Sequence, residues 1–85
     1  MMTLYTFVSV HHMMRAEKSL KEKAINCDII PTPRAISKSC GLSIVLSAKD
    51  AAWAAEIFQQ KDILLDGVYP DAEKYGYYKA EGKKA

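Results

Sequence analysis

The sequence predicts an α+β protein of the ferredoxin-like, split βαβ type (βαββαβ): an antiparallel four-stranded sheet with two helices on one face. Three observations lead there. Four short runs rich in β-branched and aromatic residues read as strands. Two longer stretches place apolar residues at helical spacing without an intervening Gly or Pro. These segments alternate as strand, helix, strand, strand, helix, strand, with no internal repeat motif. At 85 residues the chain makes one domain, expected over residues 1–80, with 81–85 fraying as a C-terminal tail.

The first strand is Leu4-Tyr5-Thr6-Phe7-Val8-Ser9-Val10. A helix is expected from His11 to Ala24, with Met13, Ala16 or Glu17, Leu20 and Ala24 on its inner side and Ser9 as a candidate cap. Asn26-Cys27-Asp28-Ile29-Ile30 is a short second strand that Pro31 stops. Leu42-Ser43-Ile44-Val45-Leu46 is the third. Ser47-Ala48-Lys49-Asp50 matches a capping box in residue type, and an alanine-rich helix is expected from Ala51 to Lys61. Its inner stripe is Ala51, Ala54, Ala55 and Phe58, with Ile57 beside it and Trp53 assigned to the core. Ile63 to Tyr69 is the fourth strand, interrupted at Gly67, and Tyr77-Tyr78-Lys79 is a candidate for one more.

Composition is that of a globular protein, 49% hydrophobic and 26% charged. A net charge of +2 does not by itself point to nucleic acid or to an acidic partner. The N-terminal residues Met1-Met2-Thr3 lack a basic signal-peptide start, and no apolar run reaches the ~20 residues that span a bilayer. The expected location is cytoplasmic, where the two cysteines are expected to be reduced thiols.

The longest irregular stretch, Pro31 to Gly41, exceeds what a hairpin needs and concentrates Pro, Arg, Ser, Cys and Gly. A single helical turn is expected inside it, over Arg34 to Ser39. The βαββαβ order puts this loop at the same end of the sheet as His11 and His12 and as the turn from Lys61 to Asp66. Cys27 falls toward the other end, roughly 13 Å away along the strand. A disulfide needs Cα atoms under about 7 Å apart, so no Cys27–Cys40 bond is expected. On the faces of the sheet, Leu42, Ile44 and Leu46 with Leu4, Thr6 and Val8 are assigned to the helices. Tyr5, Phe7 and Val45 are then left on the open face, which leads to an expected homodimer through that face.

Cys40 is the candidate reactive atom, a thiolate stabilised by Arg34, Lys38 and the rim histidines, with Gly41 leaving the sulfur open to a partner. The plain alternative is a small half-buried residue under the loop. Arg34 is a candidate anion clamp or a tie to loop carbonyls. Ser37 and Ser39 either donate to the same anion or satisfy loop backbone. His11 and His12 are candidates for a base beside Cys40. Adjacent helix positions point about 100° apart, and one rim cysteine leaves a tetrahedral zinc site short of ligands, so no metal is expected. Tyr5 and Phe7 suggest a base-stacking platform, but the third strand lacks the aromatic pattern of RNA-recognition modules, so nucleic acid is not an expected partner.

The residues Tyr5-Thr6-Phe7-Val8-Ser9-Val10-His11-His12, Met14-Arg15-Ala16-Glu17, Leu20-Lys21, Pro31-Thr32-Pro33-Arg34-Ala35-Ile36-Ser37 and Ser39-Cys40-Gly41-Leu42 resemble a family of small bacterial proteins. That domain-of-unknown-function family is described as selenium/sulfur (Se/S) carrier-like, and the resemblance covers roughly residues 4–69. It implies that Cys40 carries sulfur or selenium as a persulfide or selenosulfide between a donor and an acceptor protein, with no other cofactor. Because the sequence shows no complete set of acid, base and nucleophile, a carrier or binding protein is expected ahead of an autonomous enzyme. The chain departs from better understood sulfur carriers, whose cysteine opens a helix in a Cys-Pro-x-Pro motif; here the cysteine follows the prolines. The alternative reading is a non-catalytic binding or regulatory module that recognises a small anionic ligand or peptide at the rim loop.

Overall fold

The computed structural model describes residues 2–33, 36 and 41–75. The elements are β1 (Met2–Phe7), α1 (Val10–Glu22), β2 (Cys27–Pro31), β3 (Leu42–Ser47), α2 (Ala48–Gln60) and β4 (Leu65–Tyr69), followed by a 3₁₀ turn at Ala72–Tyr75. The sheet order is β2-β3-β1-β4, and each neighbouring pair is antiparallel. This is the ferredoxin-like arrangement that the order of elements predicts. The turn expected over Arg34 to Ser39 is described only at Ile36. Tyr77–Lys79 and the tail lie outside the described residues. Among the described residues, no helix is long and apolar enough to cross a membrane.

Both helices start and stop by the same local chemistry. Ser9 and Ser47 are the N-caps, each extended in backbone, and their hydroxyls accept from the N–H of His12 and of Lys49. Ser9 therefore ends β1 early, and α2 opens at Ala48 rather than Ala51. At the other ends, Ala24 and Asp62 take left-handed backbone, with φ of 59° and 55°. The N–H of Ile25 returns to the Leu20 carbonyl and that of Ile63 to the Phe58 carbonyl, both at 2.9 Å. These are Schellman closures, and in each the following isoleucine is buried against the helix it ends. The two 13-residue helices are thus framed alike, although the sequence shows no repeat.

Under the helices lies the larger core, with Tyr5, Phe7, Met13, Ala16, Leu20, Ile44, Leu46, Ala54, Ile57 and Phe58. Phe58 meets Tyr5 and Phe7 edge to face, at 5.3 and 5.8 Å between ring centroids. The Tyr5 hydroxyl donates to the Ala51 carbonyl at 3.3 Å. Ile44 and Leu46 face the helices as expected, but β1 is turned over: Tyr5 and Phe7 lie inside and Leu4 lies on the opposite face. Every residue of β1 is buried, so its two faces are equally apolar and alternation cannot assign them. The rings are 2% and 0% exposed, which removes the proposed base-stacking platform. Trp53, assigned to the core from sequence, is 48% exposed, and Ala55 is exposed as well.

The face opposite the helices is not bare. Met2, Leu4 and Val45 are covered by Ile36 from the long loop and Ala72 from the 3₁₀ turn, with Ile30 and Tyr69 packed alongside. The chain covers this face with its own segments. The premise for pairing two copies through it, an exposed aromatic surface, therefore does not hold.

Candidate functional site at the loop end of the sheet

The C-terminal end of β1 lies between the starts of β3 and β4, because Thr6 pairs with Ser43 on one side and Gly67 on the other. That register brings three connections to one end of the sheet: the β1–α1 turn, the β2–β3 loop and the α2–β4 turn. The β1–α1 and α2–β4 turns touch directly. The backbone N–H of Leu64 donates to Nδ1 of His12 at 3.0 Å, and the N–H of Val8 donates to the Leu64 carbonyl at 3.4 Å. The Arg15 guanidinium donates to the carbonyl of Lys61, the residue that caps α2. A cation on a terminal carbonyl also complements the negative end of the helix dipole.

These contacts give the two histidines different positions. His12 is half-buried, and its Nδ1 is committed as an acceptor, which places its proton on Nε2. His11 is exposed on the first turn of α1. No group of three or more His, Cys, Asp or Glu side chains able to hold a metal occurs among the described residues.

Hydrogen bonds between described residues close the β2–β3 loop at its neck. The ladder runs through Pro31 opposite Leu42 and continues one step further, where the Thr32 N–H donates to the Gly41 carbonyl at 2.9 Å. The hydroxyls of Thr32 and Ser43 meet at 2.6 Å, and Ser43 is completely buried. Inside the loop, the N–H of Ile36 turns back to the Pro33 carbonyl at 3.0 Å, and the Ile36 side chain packs on the face away from the helices. Gly41 is exposed, and no described heavy atom lies within 4 Å of a Cβ built on it. Arg34, Ser37, Ser39 and Cys40, the other sequence-derived candidates, lie outside the described residues. Sequence reading assigned no role to Thr32, Ser43 or Leu64. A threonine and a serine near a loop neck carry no pattern that separates them from ordinary polar residues. A backbone N–H carries no residue signal at all.

The other cysteine has a different setting. Cys27 opens β2 opposite Leu46, at the far end of the ladder from the loop neck, and it is free and half-buried. It lines an open cleft of about 410 Å³ together with Asp28, Val45, Lys49 and Asp50. Burial pushes its thiol pKa up; the nearby carboxylates of Glu17 and Asp28 push the same way, and Lys21 opposes them. This environment favours the thiol over the nucleophilic thiolate.

A family model described as "Putative Se/S carrier protein-like" matches residues 3–70 of the chain. That span includes both turns, the whole loop and both cysteines. No curated protein and no solved structure matches the chain.

Proposed function

Because the chain belongs to the Se/S carrier-like family, we propose that it carries sulfur or selenium on Cys40, in transit between a donor and an acceptor protein. The family match carries the reading, since it spans the loop that holds Cys40. The setting of Cys27 is consistent with it, because burial and two carboxylates disfavour the thiolate at that cysteine.

The loading step balances without an external oxidant. The Cys40 thiolate attacks the outer, sulfane sulfur of a donor persulfide. The donor's S–S bond breaks, the donor leaves as a thiolate, and Cys40 becomes the persulfide. Unloading repeats the exchange with an acceptor thiolate. A selenosulfide forms in the same way from a donor that bears selenium. In this reading Arg34 places positive charge beside the loaded sulfur, and His11 stands on the same rim. Ser37 and Ser39 donate hydrogen bonds to it, Gly41 leaves the approach open, and His12 offers its Nε2 proton.

Incubation with a cysteine desulfurase and cysteine, followed by intact mass measurement without reductant, tests this. The expected result is an adduct of about 32 Da, one sulfur atom, on the wild type and on Cys27→Ser but not on Cys40→Ser. An adduct that survives Cys40→Ser, or none on the wild type, overturns the reading.

A further inference from the structure

We propose that the outer edge of β2 pairs with the same edge of a second copy of the chain, antiparallel and with Ile29 opposite Ile29, so that two sheets continue as one. The proposal does not depend on the carrier reading. β2 and β4 are the edges of the sheet, and among the described residues no strand pairs with the outer side of either. The β1–β4 ladder shifts register between Thr6 and Phe7 and runs through Gly67, and both features blunt an edge. β2 pairs with β3 without a shift from Cys27 to Pro31. The loop neck fixes which way its backbone points. The Thr32 N–H is directed at β3, where it meets the Gly41 carbonyl. Alternation along the strand then turns Asp28 and Ile30 toward β3, and the backbone groups of Cys27, Ile29 and Pro31 outward. Pro31, which has no N–H, stands where the ladder to β3 loses nothing.

This edge is complementary to itself. With Ile29 at the centre, the two Ile29 residues exchange both backbone bonds, and the Cys27 N–H of each copy donates to the Pro31 carbonyl of the other. Asp28 of one copy then lies opposite Ile30 of the other. Moving the centre to Asp28 sets two carboxylates face to face. Moving it to Ile30 leaves the Cys27 N–H groups without partners, and Pro31 cannot donate in their place. The side chains favour a second copy over a lone foreign strand. Ile29 lies opposite Ile44, on the helix side of the sheet, and is exposed. The outer flank of α1 overhangs β2, since the charges of Glu17 and Lys21 act on Cys27. Val10 and Met14 share that flank by helical spacing and are exposed as well. A foreign strand would cover Ile29 alone. A second copy brings its own α1 flank, apolar at the same positions, to the joined strands.

Sedimentation velocity of the wild type, Ile29→Lys and Val68→Lys tests the edge, with circular dichroism to confirm folding. The wild type is expected to show a concentration-dependent dimer. Ile29→Lys sets two cations opposite each other and is expected to weaken association at least about ten-fold, whereas Val68→Lys, on β4, leaves it unchanged. A second measurement stands whether or not Ile29→Lys folds. In a Cys27→Ser, Cys40→Ser background, Ile29→Cys treated with copper phenanthroline and dioxygen is expected to form a covalent dimer. Directly opposed residues of this kind lie about 5.5 Å apart between Cα atoms, inside the disulfide range. Asp28→Cys in the same background is expected to stay monomeric under that treatment. A wild type with a dimer Kd above about 1 mM overturns the proposal. So does a dimer that folded Ile29→Lys leaves intact or that Val68→Lys dissociates. Failure of Ile29→Cys to cross-link, or equal cross-linking by Asp28→Cys, overturns it too.

Discussion

Nδ1 of His12 accepts the backbone N–H of Leu64 at 3.0 Å, joining the first turn of α1 to the residue just before β4. The side chain closes the gap between segments far apart in sequence, and it satisfies an N–H that the sheet does not reach. His12→Ala removes the acceptor and is expected to lower stability by about 0.5–1.5 kcal/mol, the net value of one such bond. Asn places an acceptor oxygen near the position of Nδ1, so His12→Asn is expected to recover most of the loss. Urea denaturation of the three proteins checks this; equal losses for Ala and Asn would show that the bond is not the source.

The left-handed residues that close the two helices offer a second prediction. Ala24 and Asp62 sit at φ of 59° and 55°, where a Cβ crowds the backbone and glycine does not. Glycine also loosens the unfolded chain, which offsets part of the gain. Ala24→Gly is therefore expected to stabilise by up to about 1 kcal/mol. Asp62→Gly gains less, because aspartate tolerates this region better than alanine. Thermal melts of the single variants give the order, and destabilisation by Ala24→Gly would contradict the closure described.

Among the described residues, Tyr5 and Cys27 give stability a pH dependence on the alkaline side. Burial raises the thiol pKa of Cys27 above 9.0 and the phenol pKa of Tyr5 above 10.0. Both groups are neutral when protonated, and the fold favours that form. The contribution of Cys27 is complete below pH 9.0 and is lost as the pH rises through its folded value; Tyr5 behaves the same way from pH 10.0 upward. The urea midpoint is expected to fall from about pH 9 onward. Cys27→Ser is expected to flatten the first part of that fall and leave the part due to Tyr5. A wild-type midpoint that holds level to pH 11 would rule out both groups as buried neutral partners.

The order of elements, the helix caps and the end of the sheet that collects the rim segments were legible in the sequence. Each follows from a local signal: Ser9 and Ser47 before apolar helices, Pro31 after a short β-branched run, and Gly and Pro at the breaks. The left-handed closures were not legible, because alanine and aspartate stand where glycine is the usual sign. The burial of Tyr5 and Phe7 was misread for a different reason. A strand buried on both faces has no polar side to mark its orientation, and one residue of register exchanges the faces.

The chain's pattern is enough to specify a βαββαβ domain and to single out the Pro31–Gly41 loop with Cys40, because propensity, capping and turn chemistry act over a few residues. Packing decided the rest. It put Phe58 against Tyr5 and Phe7, laid Ile36 and Ala72 over the opposite face, and paired Thr32 with Ser43 and His12 with Leu64. Those contacts join residues far apart in the chain or aim single polar atoms at each other. Their energies arise only once register and burial are set, so no short window of sequence carries them.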